Sequence, residues 1–499
     1  MPDTYLNPPS SAFMDKLAAI VGDKGMVTDP QAVAFHSTDW RGISVGRAAA
    51  VVKPATVEEV SAIVKLCHEN NVKVVPQGGI TGLMVAGVPV RDGDEVVVSM
   101  ARMNRILDVN PGAYTMTVEA GVVLQTIQET AISHDRYFPI SLGAQGSCMI
   151  GGNLSTNAGG ATVLHYGNTR NMVLGLEVVL PDGRVWNGLR ALKKDNTGYD
   201  LKDLFVGAEG TLGIITKAVI KIFPKAKDVA TGWIAIPNPQ AAFDLLAEAR
   251  MASGDTVTSC ELIHGIGLEG VLKYVPGLQR PLADKHEWQL LMEWSSTRPA
   301  AADGSGSMAE RMEGFLAEAF ERGQALDATI AQSEAQAKNM WAIREGHAEA
   351  SRRDVNPSCS FDISVAVHHI PDFIERCNAA CVAAVPGIRP KPMGHMGDGN
   401  LHYSFGAPDH VTTRADFAPM VEKLDRIVHD MVTDIAGSIS AEHGIGSVKL
   451  LELEHNRSPV ELDIMRAIKK ALDPKGIMNP GKVIRVDANE PVVQGSTIR

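Results

Sequence analysis

The chain has 499 residues, 45% hydrophobic and 21% charged, the balance of a soluble globular enzyme and more chain than one core normally supports, so two or three domains are expected. Its 47 basic residues against 58 acidic ones, a net charge of -11, argue against a nucleic-acid partner, because phosphate binding needs a basic face. The first residues, MPDTYLNPPSS, lack the basic-then-apolar order of a secretory signal, and no apolar run reaches the length of about 18 that spans a membrane.

In chain order, Thr56-Val57-Glu58-Glu59 reads as a capping box, followed by Val57, Val60, Ile63, Val64 and Cys67 at helical spacing. A strand at 72–75 runs into the first glycine-rich loop, 76–82. Strands follow at 95–99 and 114–119, a helix near 124–132, a hairpin of 174–180 with 184–186 around Pro181-Asp182-Gly183, and a strand within 210–223. After Pro224 come strand 233–236, helix 240–252, and strands 257–264 and 288–294. A flexible loop at 303–307 and a helix at 308–319 follow. Helices cover about 332–352, 371–384 and 414–436, with strands near 359–366 and 400–405, and a last helix at 459–471. These elements predict an α+β protein. Its expected domains are 1–225 with a helical lead, 226–438, a return segment 439–485 and a tail 486–499. The six cysteines are scattered without C-x-x-C, so zinc-ribbon, usual iron–sulfur and covalent-haem motifs are absent. Cys377 and Cys381, one helical turn apart, read as buried packing. Reduced cysteines fit a cytoplasmic protein, and any electrons it moves must leave to another molecule.

Three runs, 76–82, 143–160 and 207–213, are too glycine-rich for ordinary structure. Glycine lets backbone N–H groups approach a ligand, and successive N–H groups make concave anion sites. Thr81, Ser147, Ser155, Thr156 and Asn157 add short hydrogen-bonding side chains. None of these runs fits the dinucleotide fingerprint or the P-loop, so a different phosphorylated cofactor is expected. The stretch PMGHMGDGNLHYSF, 392–405, carries the strongest hairpin signal. With Asp398-Gly399 as a two-residue turn, Gly397 faces Asn400, Met396 faces Leu401 and His395 faces His402, with facing Cβ atoms about 4.5–5.5 Å apart. Two imidazoles so placed can close on one metal ion. Glu442 and His443, in SAEHGIG, supply a carboxylate and a further imidazole. His395, His402 and Glu442 thus form an open divalent-metal site with His443 beside it as the base. Zn²⁺ suits N/N/O ligation, with Mn²⁺ and Fe²⁺ as alternatives. A histidine's ordinary pKa of about 6.5 suits proton transfer near neutrality.

Residues 45–225 resemble the FAD-binding domain of the vanillyl-alcohol-oxidase/PCMH flavoprotein superfamily: PQGGITGL resembles its pyrophosphate loop, and GGNLSTNAGG, YGNTRNMVLGLEVVLPDG and DLFVGAEGTLGIIT its later cofactor segments. The second half, with WAIREG, GHMGDGNLH, SAEHGIG and DPKGIMNPGK, is similar to the FAD-linked oxidase C-terminal domain, and the whole to the D-2-hydroxyacid dehydrogenases. The resemblance implies a PCMH-type FAD-binding domain, a ferredoxin-like α+β substrate (cap) domain and a C-terminal helical return segment. It assigns FAD to Pro76, Gln77, Gly78, Gly79, Thr81, Gly82 and Leu83. Gly143, Ser147, Gly151, Gly152, Asn153, Thr156, Asn157, Gly159 and Gly160 follow, then Gly167, Glu209, Gly213, Ile215 and Asn479. Ile80 stands where covalently tethered relatives carry a histidine, so the FAD is expected to be non-covalent.

The implied reaction is metal-assisted, FAD-dependent oxidation of a small D-2-hydroxy acid, of the D-2-hydroxyglutarate or D-lactate class, to the 2-oxo acid. Arg344, in the helix motif W-x-x-R-E, grips the substrate carboxylate, joined by Asn400 and His443. The family's dicarboxylate enzymes carry a Lys before an aromatic-Asp pair and a Thr one turn after the Arg; here those places hold Ser360 and Ala348, and Arg352 or Arg353 are the available substitutes. The expected electron acceptor is external, an electron-transfer flavoprotein or a quinone, and a homodimer is expected. A metal-independent flavin alcohol oxidase and the flavin subunit of a larger complex, such as glycolate oxidase, are the alternatives.

Overall fold

A computed structural model describes residues 9–89, 92–300 and 306–486; the 486–499 tail beyond its first residue and most of the 303–307 loop lie outside the described residues. The chain divides into two compact units. One holds the chain up to Gly159, Asn168–Phe223 and the return from Glu442; the other holds Gly160–Gly167 and Pro224–Ala441. The segment Gly160–Gly167 therefore leaves the unit in which its sequence neighbours fold, a departure from a first domain running unbroken to 225. Two local contacts account for it. Ser259 Oγ donates to the Ala161 carbonyl at 2.7 Å, and Leu164 packs against the core of the second unit.

In the first unit, helix Val57–Asn70 starts where the Thr56 side chain accepts from the Glu59 N–H and ends at Asn71 in the left-handed conformation. It buries Val60, Ile63, Val64, Leu66 and Cys67 on a four-stranded sheet, in the order Met26–Val27, Arg47–Val52, Asp92–Ser99, Lys73–Gln77. The last three strands run parallel. A five-stranded antiparallel sheet follows, in the order Ile106–Asn110, Thr115–Glu119, Ile214–Lys221, Val173–Val179, Val185–Gly188.

The second unit is built on one large antiparallel sheet whose strands include Asp228–Ile236, Trp288–Ser296, Val257–His264, Met393–His395, Asn400–Gly406 and Ser358–Ser364, in that order. One face packs under helices Pro239–Ser253, Met308–Glu321, Ile370–Ala384 and Arg414–Asp434, burying Leu290, Met292, Phe361, Tyr403 and Phe405. The other face is covered in part by Gly265–Tyr274, Glu334–Glu345 and His347–Arg353, over Trp233, Ile263 and Leu291. The helix expected over 332–352 is two helices meeting at Gly346. All six cysteines are buried and unbridged. Among the described residues no helix is long and apolar enough to cross a membrane.

Candidate active site

The glycine-rich runs of the first unit converge on one concave pocket, the kind of place where small molecules bind. Pro76, Gln77, Gly78, Gly79, Thr81, Gly82, Gly151, Gly152, Asn153, Thr156, Glu209, Gly213 and Ile215 line it, together with His443. Glycine is needed where the first two loops cross: a Cβ on Gly79 would stand 2.1 Å from the Ser147 carbonyl oxygen. A Cβ on Gly82 or Gly152 would meet nothing within 4 Å, so backbone there faces open space. Ile80 (φ 57), Val85 (φ 60) and Glu209 (φ 50) hold left-handed conformations in the pocket wall. For β-branched residues this is strain, and strain of this kind concentrates at ligand sites. A pocket lined by backbone from three glycine-rich runs fits a flavin dinucleotide.

Leu83, Gly143, Ser147, Asn157, Gly159, Gly160, Gly167 and Asn479 do not line that pocket. Gly160 and Gly167 fold with the second unit. Asn157 Oδ1 accepts from the Arg170 N–H at 2.9 Å. Asn479, 1% exposed, donates through Nδ2 to the Ala86 and Glu209 carbonyls at 3.0 and 2.6 Å, so its amide clamps the return segment to the pocket wall. Glu209 clamps the same segment from the other side. Its carboxylate accepts from the Ile445 and Gly446 N–H groups at 2.7 and 2.8 Å, which fixes the loop following His443. Burial pushes the Glu209 carboxyl up to about 7 against the pull of those two N–H groups.

In the second unit a row of directly paired residues crosses the sheet: Trp233, Leu291, Glu261, His395, Asn400 and Ser364. Paired residues share a face. The face is therefore apolar where helices cover it and turns polar from Glu261 onward. Glu261, 0% exposed, accepts from Arg344 Nε at 2.6 Å and from His395 Nδ1 at 2.7 Å. Burial alone would raise its carboxyl, but the Arg344 charge and the hydrogen bonds from His395 and Arg344 hold it down at about 2. Because Nδ1–H of His395 points to Glu261 and Arg344 Nη2 approaches Nε2 at 3.5 Å, the hydrogen-bond network assigns the lone pair to Nε2. Arg344 does not pair with Glu345 or Glu349; Glu349 pairs with Arg353. Local spacing gave no hint of Glu261, whose partner His395 lies 134 residues away. The one signal was an acid inside an otherwise uncharged strand, VTSCELIH.

The hairpin register differs from the two-residue turn. Met393 pairs with His402, Gly394 with Leu401 and His395 with Asn400, leaving Met396–Gly399 as the loop. Gly399 (φ 87) sits so close to Val365 that a Cβ would stand 2.0 Å from its carbonyl oxygen, and Val365 N–H donates to the Gly399 carbonyl at 3.0 Å. This docking pulls the loop open by two residues. A two-residue slip preserves the face, so His395 and His402 become diagonal neighbours with ring centroids 5.5 Å apart. Asn400 Nδ2 donates to Asp362 Oδ1 and the Ile363 carbonyl, both at 3.0 Å, leaving its buried Oδ1 without a protein partner. Asn400 thus offers an acceptor, where a donor to a carboxylate was expected.

Glu442 is peptide-bonded to Ala441, the residue at which the second unit ends, and one ligand atom each of His395, His402 and Glu442 lie within 4.8 Å of one another. Two imidazoles and one carboxylate are a donor set for a borderline divalent cation. The carboxylate behind His395 is the outer support such ligands require. His443, the next residue, lines the glycine-walled pocket.

Residues 48–188 match the family of FAD binding domains, and residues 225–483 match the FAD linked oxidases, C-terminal domain. The D-2-hydroxyglutarate dehydrogenase of Xanthomonas citri is 36% identical, covering 91% of this chain and 93% of its own. The mitochondrial D-2-hydroxyglutarate dehydrogenase of Arabidopsis thaliana is 36% identical over 93% of this chain and 80% of its own. The fold is shared with p-cresol methylhydroxylase, solved with substrate bound (TM-score 0.70, 16% identity, 94% of this chain and 96% of that one). It is shared equally with 4-ethylphenol oxidase from Gulosibacter chungangensis (TM-score 0.70, 16% identity, 97% and 98%). On relatives matching more than nine-tenths of its length, the chain belongs to the FAD-linked oxidase family, among its FAD-dependent D-2-hydroxyacid dehydrogenases.

Proposed function

We propose that this enzyme oxidises D-2-hydroxyglutarate to 2-oxoglutarate with the help of a divalent metal held by His395, His402 and Glu442. The substrate is the one for which its curated relatives are named. The observation carrying the metal is the ligand-atom cluster, with its neighbour His443 lining the cofactor pocket.

Bound FAD supplies the two-electron acceptor for the hydride leaving C2. A bound divalent cation supplies Lewis-acid polarisation of the substrate oxygens. The remaining work falls to the chain's own side chains. His443 takes the hydroxyl proton, so that loss of one hydride and one proton leaves the 2-oxo acid. Arg344, tied to Glu261 through Nε, has Nη1 without a protein partner among the described residues and presents it to the C1 carboxylate. Asn400 Oδ1 accepts from the substrate hydroxyl as it enters. Ile80 lines the pocket without a nucleophilic atom, which supports non-covalent FAD. Electrons leave to an external acceptor, an electron-transfer flavoprotein or a quinone.

Chelation tests the reading. EDTA should abolish D-2-hydroxyglutarate turnover with an artificial acceptor, and Zn²⁺ or Mn²⁺ should restore it. Unchanged rates after verified metal removal would end the metal proposal and leave a metal-independent oxidase.

A further inference from the structure

We infer that Lys391 is the specificity residue that binds the distal carboxylate of a dicarboxylic 2-hydroxy acid; this deepens the substrate reading above and rests on it. The usual lysine position on strand Ser358–Ser364 holds Ser360, whose Oγ accepts from Ser404 Oγ at 2.9 Å. Neither neighbouring arginine is open for the task. Arg353 is tied to Glu349 and to the Tyr274 carbonyl, and Arg352 is likewise engaged.

Sheet register supplies another cation. Arg389 pairs with Gly406 and Pro390 with Phe405, while Met393 pairs with His402 in the same register. Between them the Lys391 N–H donates to the Ser404 carbonyl at 2.8 Å, and Ser404 on its other edge pairs with Ser360. Lys391 therefore rises on the face that carries Ser360, His402 and His395. It stands two strand spacings, about 10 Å, from the place the missing lysine would occupy.

Its charge has no protein partner. Lys391 is half-buried, and among the described residues its ammonium makes no hydrogen bond or ion pair. Asp354, the carboxylate it feels, is held by the Tyr274 hydroxyl at 3.1 Å and the Asn356 N–H at 3.2 Å. Arg389 beside it turns away to Asp409 and the Ala407 carbonyl. A half-buried ammonium without an anion is costly, and a ligand carboxylate removes that cost. His347 lies within the influence of both Arg344 and Lys391, so the two cations border one neighbourhood. One cation for C1 and a second for the far end select a dicarboxylate over D-lactate.

The test is the ratio of kcat/KM for D-2-hydroxyglutarate to that for D-lactate, with calorimetric Kd values for 2-oxoglutarate and pyruvate on the same preparations. Lys391→Ala should lower the ratio about 10- to 100-fold, mostly through KM, and weaken 2-oxoglutarate more than pyruvate. Lys391→Ala combined with Ser360→Lys should recover the ratio, which a merely structural lysine would not allow. A wild-type ratio near one would remove the dicarboxylate reading and Lys391's role with it. A high wild-type ratio that survives Lys391→Ala, or a loss of both substrates in equal measure without rescue, would overturn Lys391 alone.

Discussion

Two buried glutamates, one in each unit, meet opposite fates. Glu261 and Glu209 are 0% and 5% exposed, so desolvation acts on both. Glu261 touches a guanidinium and an imidazole and is held down at about 2; Glu209 has two backbone N–H donors and the weaker pull of the Lys482 and Lys449 charges, and rises to about 7. Neutral dipoles ease the burial of a carboxylate, but only charges in contact reverse its effect. The difference matches the work each does. Glu261 must remain an anion to orient His395 and Arg344, whereas Glu209 pins a loop and can do so in either protonation state.

Glu261→Gln should produce the largest effect. It strands Arg344 in a partly buried position and frees the His395 ring, and should cost about 3–5 kcal/mol in urea denaturation. Divalent-metal affinity should fall about 10- to 100-fold. Unchanged metal affinity would show that His395 needs no support. Glu209→Gln keeps an acceptor for one of the two N–H groups and should cost only about 1–2 kcal/mol. If its cost matches that of Glu261→Gln, the contrast between the sites fails.

Titration sharpens the comparison. Glu209 moves from 4.5 to about 7 on folding, so its contribution is full below pH 4.5 and disappears as the pH rises through about 7. The stability gap between wild type and Glu209→Gln should therefore move against the wild type across that window. His347 moves the other way, from 6.5 to about 3, because burial and the Arg344 and Lys391 charges disfavour its cation. Its contribution is present above 6.5 and lost as the pH falls toward 3, so His347→Gln should flatten acid unfolding over that range. A variant with the wild-type acid slope would show that other groups set it. Arg353→Ala, which breaks an exposed pair with Glu349, should change stability by less than about 0.5 kcal/mol and leave the dicarboxylate preference in place. A tenfold fall in that preference would move the distal contact from Lys391 to Arg353.

Local chemistry made much of this molecule readable. Capping side chains at Thr56, Asn238, Ser307 and Ser458 begin helices where they were expected. The glycine runs marked stretches that wall one pocket, since a missing Cβ has meaning at the residue itself. The hairpin was legible as a hairpin but not in its register, because the Gly399 contact with Val365 comes from elsewhere in the sheet. Asn479 was assigned to the cofactor by resemblance, while its grip on Ala86 and Glu209 spans hundreds of residues.

The amino-acid order alone determined which segments become helices and strands and which residue types could carry the chemistry, because capping, periodicity and backbone freedom act between near neighbours. Only the tertiary structure decided that Glu261 stands behind His395, that Gly160–Gly167 joins the second unit, and that Lys391 shares a face with Ser360. Those outcomes depend on sheet register and burial, which arise when distant strands pair and which no short stretch of sequence contains.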